Sequence, residues 1–173
     1  FRRCGVGTVL LQAAIHAVKG EGVVCLDATP AGKPLYAGLG FREIYELARW
    51  LRLPAALASV TCRSQPLFPE MLPAVEEYDR AIFGAERGAV LQALCRNAPE
   101  LAWRIERAGR LRGYCLGRRG SRFTQIGPVC ADSLEDAGDL LVSALVNCAQ
   151  QPVIVDPTFH QPGWNRLLKA LGF

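Results

Sequence analysis

The chain has 173 residues, 50% of them hydrophobic and 21% charged, so it can bury a core and is not a disordered chain. Its net charge of +4 is mild and indicates no nucleic-acid partner, and no apolar run approaches the roughly 20 residues that span a bilayer. Seven cysteines without a C-x-x-C pair and two histidines fit neither a disulfide framework nor a zinc site. We expect a globular protein of the reducing cytoplasm, with free thiols, no metal and no membrane contact.

The N-terminal part of the chain predicts a helix, a strand and a second helix. Apolar residues recur at helical spacing over residues 6–18, and glycines end that segment. The β-branched run VVCLDA, residues 23–28, is typical of a buried strand. The stretch GKPLYAGLGF predicts a short helix that is entered through Pro34 and stops at Gly40. The first half of the next segment, FREIYELARWLRL, alternates enough to predict another strand.

The remainder predicts helices and strands that begin after a proline- and serine-rich entry. SVTCRSQ predicts a strand, and PEMLPAVEEYDRAIFG and AERGAVLQALCRN predict two helices. Residues 101–131 predict an antiparallel meander with turns at AGR and at RRGSR, residues 118–122, the latter a solvated hairpin turn rather than a binding patch. A helix capped by Asp132 or Ser133, the strand PVIVD and the helix GWNRLLKALGF follow.

Two segments of the chain are similar to each other in sequence. VVCLDATPAGKPLYAGLGF near the start and PVIVDPTFHQPGWNRLLKALGF at the end share a strand, an aspartate, a proline, a short helix and the final LGF. The two LGF tripeptides are about one domain length apart, so a repeated structural unit explains the likeness better than chance does. We expect two related domains with the first cut short: a half domain over residues 1–52, a linker over 53–57 and a second domain over 58–173.

The N-terminal turn matches a phosphate-binding pattern. It consists of Arg2, Arg3, Cys4, Gly5, Val6 and Gly7. Glycines let the backbone approach an anion closely, and the amides at a helix N-terminus carry the positive end of the helix dipole. A dinucleotide fingerprint would need a glycine at Leu10, and the Gly-Lys-Ser/Thr of a P-loop is absent.

This turn resembles the Q/R-x-x-G-x-G/A pattern with which the GCN5-related N-acetyltransferase (GNAT) superfamily holds the pyrophosphate of acetyl-CoA. The family's second helix ends Y-x-x-x-G-F, which is matched here by Tyr36, Gly40 and Phe41. The chain therefore resembles a tandem acetyltransferase whose second half is a diverged copy. The resemblance implies an α/β (α+β) GNAT fold, with a mixed, mostly antiparallel sheet flanked by helices, in one partial and one nearly complete copy.

The resemblance also implies a reaction and assigns residues to it. In this family an amine attacks the thioester of acetyl-CoA directly, so the expected activity is acetyl transfer to a primary amine of a small molecule or peptide. Tyr36 stands where the family often has a tyrosine that protonates the CoA sulfur. Binding roles fall to Thr8, to Thr29, where many relatives have asparagine, and to Lys33, which could reach a CoA phosphate. The general base is expected on strands that precede the glycine turn and are cut away here.

The second domain departs from the pattern. Its corresponding helix begins VCADSLEDAGD, which places Asp132, Glu135 and Asp136 where a pyrophosphate would lie, and carboxylates repel phosphate. Leu168 stands at the position that matches Tyr36. We expect this copy to be degenerate as a CoA site and to pack against the first or to shape the acceptor pocket.

Two other interpretations remain open. The first is a GNAT-like protein without catalysis that senses acyl-CoA or binds a partner, and the second is an unrelated α/β nucleotide-binding protein with a continuous parallel sheet. His160 and Trp164 could line an acceptor site, although a tryptophan beside a proline and glycine turn is more typical of packing. The acceptor amine and the oligomeric state stay open.

Overall fold

A computed structural model describes residues 5–18, 20, 22–57, 63–148, 150–158 and 163–173. The chain divides into two compact units, Phe1–Ile44 and Tyr45–Phe173. The first unit thus ends before residue 52, where the sequence places the end of the first domain. The domain limits 1–52, 53–57 and 58–173 stay a prediction.

The first unit contains two helices, α1 (Val6–Ala17) and α2 (Lys33–Gly38), and both predicted helices are confirmed. Neither helix has a buried residue, and Val9 and Leu10 on α1 are 64% and 65% exposed. The strand predicted for residues 23–28 is wrong, because this segment is irregular. A strand forms only where a neighbour shares its backbone hydrogen bonds, and no described residue of this unit does so.

The second unit is built on a six-stranded sheet. Its strands are β1 (Trp50–Arg52), β2 (Gln65–Pro66), β3 (Trp103–Arg107), β4 (Arg110–Arg119), β5 (Thr124–Ala131) and β6 (Val153–Val155). Their spatial order is β1-β6-β5-β4-β3-β2, and all neighbours are antiparallel except β5 and β6. The predicted α/β class, with a mixed, mostly antiparallel sheet flanked by helices, is therefore confirmed.

The helices of the second unit pack on both faces of this sheet. They are α3 (Leu72–Phe83), α4 (Gly88–Asn97), α5 (Leu134–Val146) and α6 (Trp164–Ala170). Successive side chains of a strand point to opposite faces, and β4 shows the result. Cys115 belongs to the core that contains Leu141 of α5, whereas Leu116 belongs to the core that contains Leu91 of α4. The side chains of Cys115 and Leu116 are both fully buried, so β4 lies at the centre of the fold.

Strand β1 joins the sheet from a segment that the sequence assigns to the first domain. It pairs antiparallel with β6, and Leu47 forms an isolated bridge with Thr158. The strand therefore lies in the second half of FREIYELARWLRL, not in the first half as predicted. Arg52 at its end is 4% exposed, and its guanidinium donates to the carbonyl oxygens of Leu171 at 2.9 Å and Ala55 at 3.0 Å.

The other elements agree with the predictions where they are described. The two helices after residue 68, the meander of β3, β4 and β5, the strand in PVIVD and the final helix are confirmed. Most of SVTCRSQ lies outside the described residues, and its last residue, Gln65, belongs to β2. Within the described ranges, no helix is long and apolar enough to cross a membrane.

Candidate functional site

The N-terminus of α1 presents backbone amides that no described side chain caps. Gly5 has a φ of 72° immediately before the helix, a left-handed conformation that glycine adopts without strain. Its carbonyl oxygen accepts the N–H of Val9 at 3.0 Å, so the turn runs directly into the helix. The first turn of α1 contains no acidic residue. The positive end of this helix dipole is therefore not offset by a carboxylate on its own first turn.

The predicted binding residues divide between this turn and α2. The start of α1 contains Gly5, Val6, Gly7 and Thr8, and the turn into α2 contains Thr29 and Lys33. The remaining members of the pattern, Arg2, Arg3 and Cys4, lie outside the described residues.

Thr29 closes the turn before α2. Its carbonyl oxygen accepts the N–H groups of Gly32 at 2.9 Å and Lys33 at 3.0 Å, and its hydroxyl accepts the Gly32 N–H at 3.3 Å. The Nζ of Lys33 donates to the carboxylate of Glu43 at 2.6 Å in an exposed ion pair. Thr29 thus shapes the turn, and Lys33 is engaged within its own unit.

Tyr36 is half-buried on α2. Its ring packs edge-on against Phe41, with 6.1 Å between the centroids and 70° between the planes. A Cβ atom at Gly32 would lie 3.0 Å from the ring, so the glycine leaves the space that the ring needs. The Tyr36 hydroxyl forms no hydrogen bond with any described residue, which leaves a phenol O–H able to donate.

The C-termini of α2 and α6 share one hydrogen-bonding pattern. The N–H of Phe41 donates to the Tyr36 carbonyl at 3.1 Å, and the N–H of Phe173 donates to the Leu168 carbonyl at 3.0 Å. The glycine before each phenylalanine has a positive φ, 89° in the first LGF and 84° in the second. This is the Schellman closure of a helix. Leu168, which is fully buried, therefore takes the backbone position that Tyr36 has in the first unit.

The N-terminus of α5 is capped, in contrast with that of α1. Ser133 is the N-cap, and its hydroxyl accepts the N–H of Asp136 at 3.1 Å and donates to the Asp136 carboxylate at 2.8 Å. The first turn contains Glu135 and Asp136, as the sequence predicts. Between the two predicted caps, Ser133 takes this position, and Asp132 instead pairs with Arg112 at 3.0 Å.

Two arginines bind the carboxylates at this end of α5. Arg107 donates to Asp136 from Nε at 3.1 Å and from a terminal nitrogen at 2.5 Å, and Arg63 pairs with Glu135 and with Asp139. Burial alone raises the pKa of Asp136, but hydrogen bonds from Arg107 and Ser133 outweigh it and hold this pKa below its usual value. Asp136 is 3% exposed, so a buried carboxylate already satisfies the positive end of the α5 dipole.

A buried polar cluster in the second unit was missed by sequence reasoning. Asp79 of α3 is 1% exposed and accepts two hydrogen bonds from Arg87, at 2.7 and 2.8 Å, and one from the Tyr114 hydroxyl. Burial raises the pKa of Asp79, and the bonds from Arg87 and Tyr114 lower it by more. The signal was Asp79 itself, because it continues the helical spacing of the buried Leu72 and Val75. The cluster ties α3 to β4 and contains no exposed reactive group.

His160 and Trp164 are the two residues that the sequence suggested for an acceptor site. His160 lies outside the described residues. Trp164 is 7% exposed and belongs to the core of α5 and α6, so it packs as the alternative predicted. Among the described residues, no group of three or more histidine, cysteine, aspartate or glutamate side chains could hold a metal ion.

A family model described as "Acetyltransferase (GNAT) domain" matches residues 75–173. This match covers more than half of the chain, and the sheet with helices on both faces agrees with it. The chain therefore belongs to the GNAT acetyltransferases.

The chain spans less than two thirds of the length of the first relatives that it matches. It is 27% identical over its whole length to the uncharacterized N-acetyltransferase YitH of Bacillus subtilis, of which it spans 62%. A candidate acetyltransferase structure from Pyrococcus horikoshii has a TM-score of 0.68 and 25% identity over 98% of this chain and 56% of that one. A GCN5-related N-acetyltransferase from Sphaerobacter thermophilus shares the fold, with a TM-score of 0.66 and 18% identity over 99% of this chain and 65% of that one.

Proposed function

We propose that this chain is the later part of a tandem N-acetyltransferase that transfers the acetyl group of acetyl-CoA to a primary amine of a small-molecule or peptide acceptor. Residues 1–52 are the end of a first GNAT domain, 53–57 a linker and 58–173 a diverged second domain. The N-acetyltransferase name of YitH supports the reaction. The matching Schellman closures of α2 at Tyr36 and of α6 at Leu168 support the tandem arrangement. A tandem GNAT protein from the clavulanic acid biosynthesis pathway also supports it through a similar fold, with a TM-score of 0.55. The identity to that protein is 16%, over the whole of this chain and 67% of that one.

The observation that carries the proposal is the contrast between two helix N-termini. The start of α1 has a left-handed glycine, no side-chain cap and no carboxylate, so it suits an anionic pyrophosphate. The start of α5 has a serine cap and two acidic residues, so it repels one. We assign pyrophosphate binding to the first unit alone, with Arg2 and Arg3 adding charge beside the amides of Gly5, Val6, Gly7 and Thr8.

Catalysis then rests mainly on positioning. The acceptor nitrogen attacks the thioester carbonyl, the carbon–sulfur bond breaks, and the nitrogen loses a proton to water. Tyr36 donates the proton that the departing thiolate takes up, because its phenol is a donor with no other described partner, and the phenolate regains a proton from water. Thr29 keeps the turn beside α2 in shape, and Lys33 exchanges its ion pair with Glu43 for a contact with a CoA phosphate. We infer a reducing, cytoplasmic location from the odd number and the spacing of the cysteines in the sequence.

The sharpest test inserts a charge into the first turn of α1. A side chain at Gly7 meets no atom within 4 Å, so Gly7→Glu should fold, and its carboxylate should stabilise the helix end while repelling pyrophosphate. We expect isothermal titration of acetyl-CoA into the chain to show binding about tenfold weaker or worse for this variant. The matched control is Ala14→Glu, which adds the same charge at an exposed position farther along α1. Equal affinities in both variants would contradict the proposal.

A further inference from the structure

The turn between β4 and β5 is tightly fixed. The N–H of Gly120 donates to the Phe123 carbonyl at 2.9 Å, and a Cβ atom at Gly120 would lie 2.8 Å from that oxygen. Thr124 is fully buried, and its N–H donates to the carbonyl of Pro152 at 2.9 Å. The backbone of this turn is therefore held by hydrogen bonds at both of its ends.

A cleft of about 300 Å³ opens at this turn. It is lined by Arg118, Arg119, Gly120, Ser121, Arg122, Phe123, Gln125 and Ile154. Its lining thus contains three guanidinium groups and no carboxylate. An excess of one sign of charge in a concave site attracts ligands of the opposite sign.

Two carboxylates that are bonded to residues of the cleft are each engaged by an arginine other than Arg118 and Arg122. Arg119 donates from Nε to Glu100 at 2.7 Å. Asp156 is bound in a fork by Arg49, at 2.8 and 2.9 Å, and receives a further hydrogen bond from the amide of Gln125 at 3.0 Å. Neither carboxylate therefore offsets the charge of the remaining two arginines of the cleft.

Those two arginines have no acidic partner in the described part of the chain. Arg118 donates from Nε and a terminal nitrogen to the amide oxygen of Gln125, at 2.9 and 2.6 Å. This neutral acceptor orients the guanidinium without cancelling its charge. Arg122 lies on the turn itself and forms no hydrogen bond or ion pair with any described residue.

The cleft also offers apolar surface beside these charges. Ile154 lies directly opposite Gln125 on the neighbouring strand, and Gln125 lies directly opposite Arg118, so the three side chains share one face of the sheet. Phe123, at the end of the turn, is 39% exposed. A ligand held by the arginines can therefore bring an apolar part against the Phe123 ring and against the small exposed part of Ile154, which is 7% exposed.

We propose that this cleft binds a small organic anion. A carboxylate or phosphate group is held between Arg118 and Arg122, and the apolar part of the ligand contacts Phe123 and Ile154. The planar fork of a guanidinium matches both kinds of oxyanion. This site lies wholly within the second unit and does not depend on the proposed acetyl transfer.

The test titrates the whole chain with phenyl phosphate and with benzoate at fixed ionic strength, so that the two arms distinguish a phosphate from a carboxylate ligand. The double variant Arg118→Ala/Arg122→Ala should weaken binding of the preferred ligand about tenfold, because two charge-assisted contacts are lost. The control, Arg96→Ala/Arg110→Ala, removes the same charge at exposed positions away from the cleft and should bind as the parent does. Circular dichroism checks that both variants fold.

Three results would overturn the proposal. The first is that neither ligand binds, and the second is an equal loss in both double variants, which would indicate a general effect of net charge. The third concerns the apolar contact, since inorganic phosphate should bind about fivefold more weakly than phenyl phosphate if the ring rests on Phe123 and Ile154. Equal affinities would remove those two residues from the site.

Discussion

The hydroxyl of Tyr114 donates to the carboxylate of Asp79, and this bond joins the central strand β4 to helix α3 inside the core. Both residues are at most 1% exposed, and Arg87 completes the cluster from the segment just before α4. Polar groups buried this deeply must be fully paired, since each unpaired one costs free energy. The cluster therefore fixes how the two helices sit on one face of the sheet.

Removing the carboxylate of Asp79 should lower the free energy of unfolding. Asp79→Ala leaves the Arg87 guanidinium and the Tyr114 hydroxyl without their shared partner, and we expect the free energy of unfolding to fall by about 3–5 kcal/mol. Tyr114→Phe deletes one bond and should cost about 1–2 kcal/mol. Urea unfolding of the single and double variants measures the coupling. Tyr78→Phe deletes an exposed hydroxyl that donates to Asp132 at 2.7 Å and is the comparison, and a loss as large as that of Tyr114→Phe would contradict a special role for the buried bond.

The serine cap of α5 should be worth a measurable part of the stability. Ser133→Ala removes the acceptor of the Asp136 N–H and should lower the free energy of unfolding by about 1 kcal/mol. Thermal and urea unfolding of the chain measure this loss. Ser133→Asn restores an acceptor and should recover most of it, whereas equal stability of the parent and the alanine variant would show that the cap contributes nothing.

Stability should fall in acid through the two buried aspartates. The pKa values of Asp79 and Asp136 are held below their usual value near 3.8 by arginine and hydroxyl donors. A carboxyl group with a depressed folded-state pKa contributes stability above its unfolded pKa and loses it as the pH falls through the folded one. We expect the free energy of unfolding to decline below about pH 4, by at most about 1.4 kcal/mol per pH unit for each group.

The variant Asp136→Asn isolates one of these contributions. The stability difference between the parent and this variant should be constant near neutral pH and should shrink as the pH falls below about 4. Unfolding titrations at a series of pH values measure this difference. A difference that does not change with pH would mean that Asp136 is not the group that titrates.

Tyr36 should affect thiol release more than binding. Tyr36→Phe removes the proton donor but keeps the ring against Phe41, so acetyl-CoA should bind the variant as it binds the parent. If the proposed acetyl transfer holds, we expect release of the CoA thiol to slow about a hundredfold, measured with a thiol reagent and an amine panel. Tyr45→Phe alters an exposed tyrosine and serves as control. Unchanged release by Tyr36→Phe would remove the phenol from the mechanism.

The helices and the meander could be predicted because their signals are local. The spacing of apolar residues in α1, α3, α4 and α5 and the turn residues on either side of β4 lie within a few positions of the elements they specify. The strands at the edges could not be predicted in the same way. Residues 23–28 and the strand β6 have similar β-branched composition, but only β6 has neighbours on both sides. Pairing with distant residues, not propensity, decides such cases.

The candidate sites differ in the same way, because some depend on local signals and others on residues that are distant in sequence. The glycine turn and Tyr36 were predicted from a motif, because a motif is contiguous. The buried cluster around Asp79 and the charge balance of the cleft at Arg118 depend on partners that are distant in sequence, such as Tyr114 and Asp156. No pattern of spacing in a single sequence reports that kind of pairing.

The position of strand β1 determines where the chain can be cut without disrupting the sheet of the second unit. Strand β1 pairs with β6 at the edge of the sheet, and its Arg52 donates to the Leu171 carbonyl that follows α6. This strand precedes the predicted linker. A gene duplication, a domain exchange or an expression plasmid that cuts within residues 53–57 would separate the second unit from its own edge strand. The second compact unit begins at Tyr45, so strand β1 is structurally part of that unit although it precedes the predicted linker.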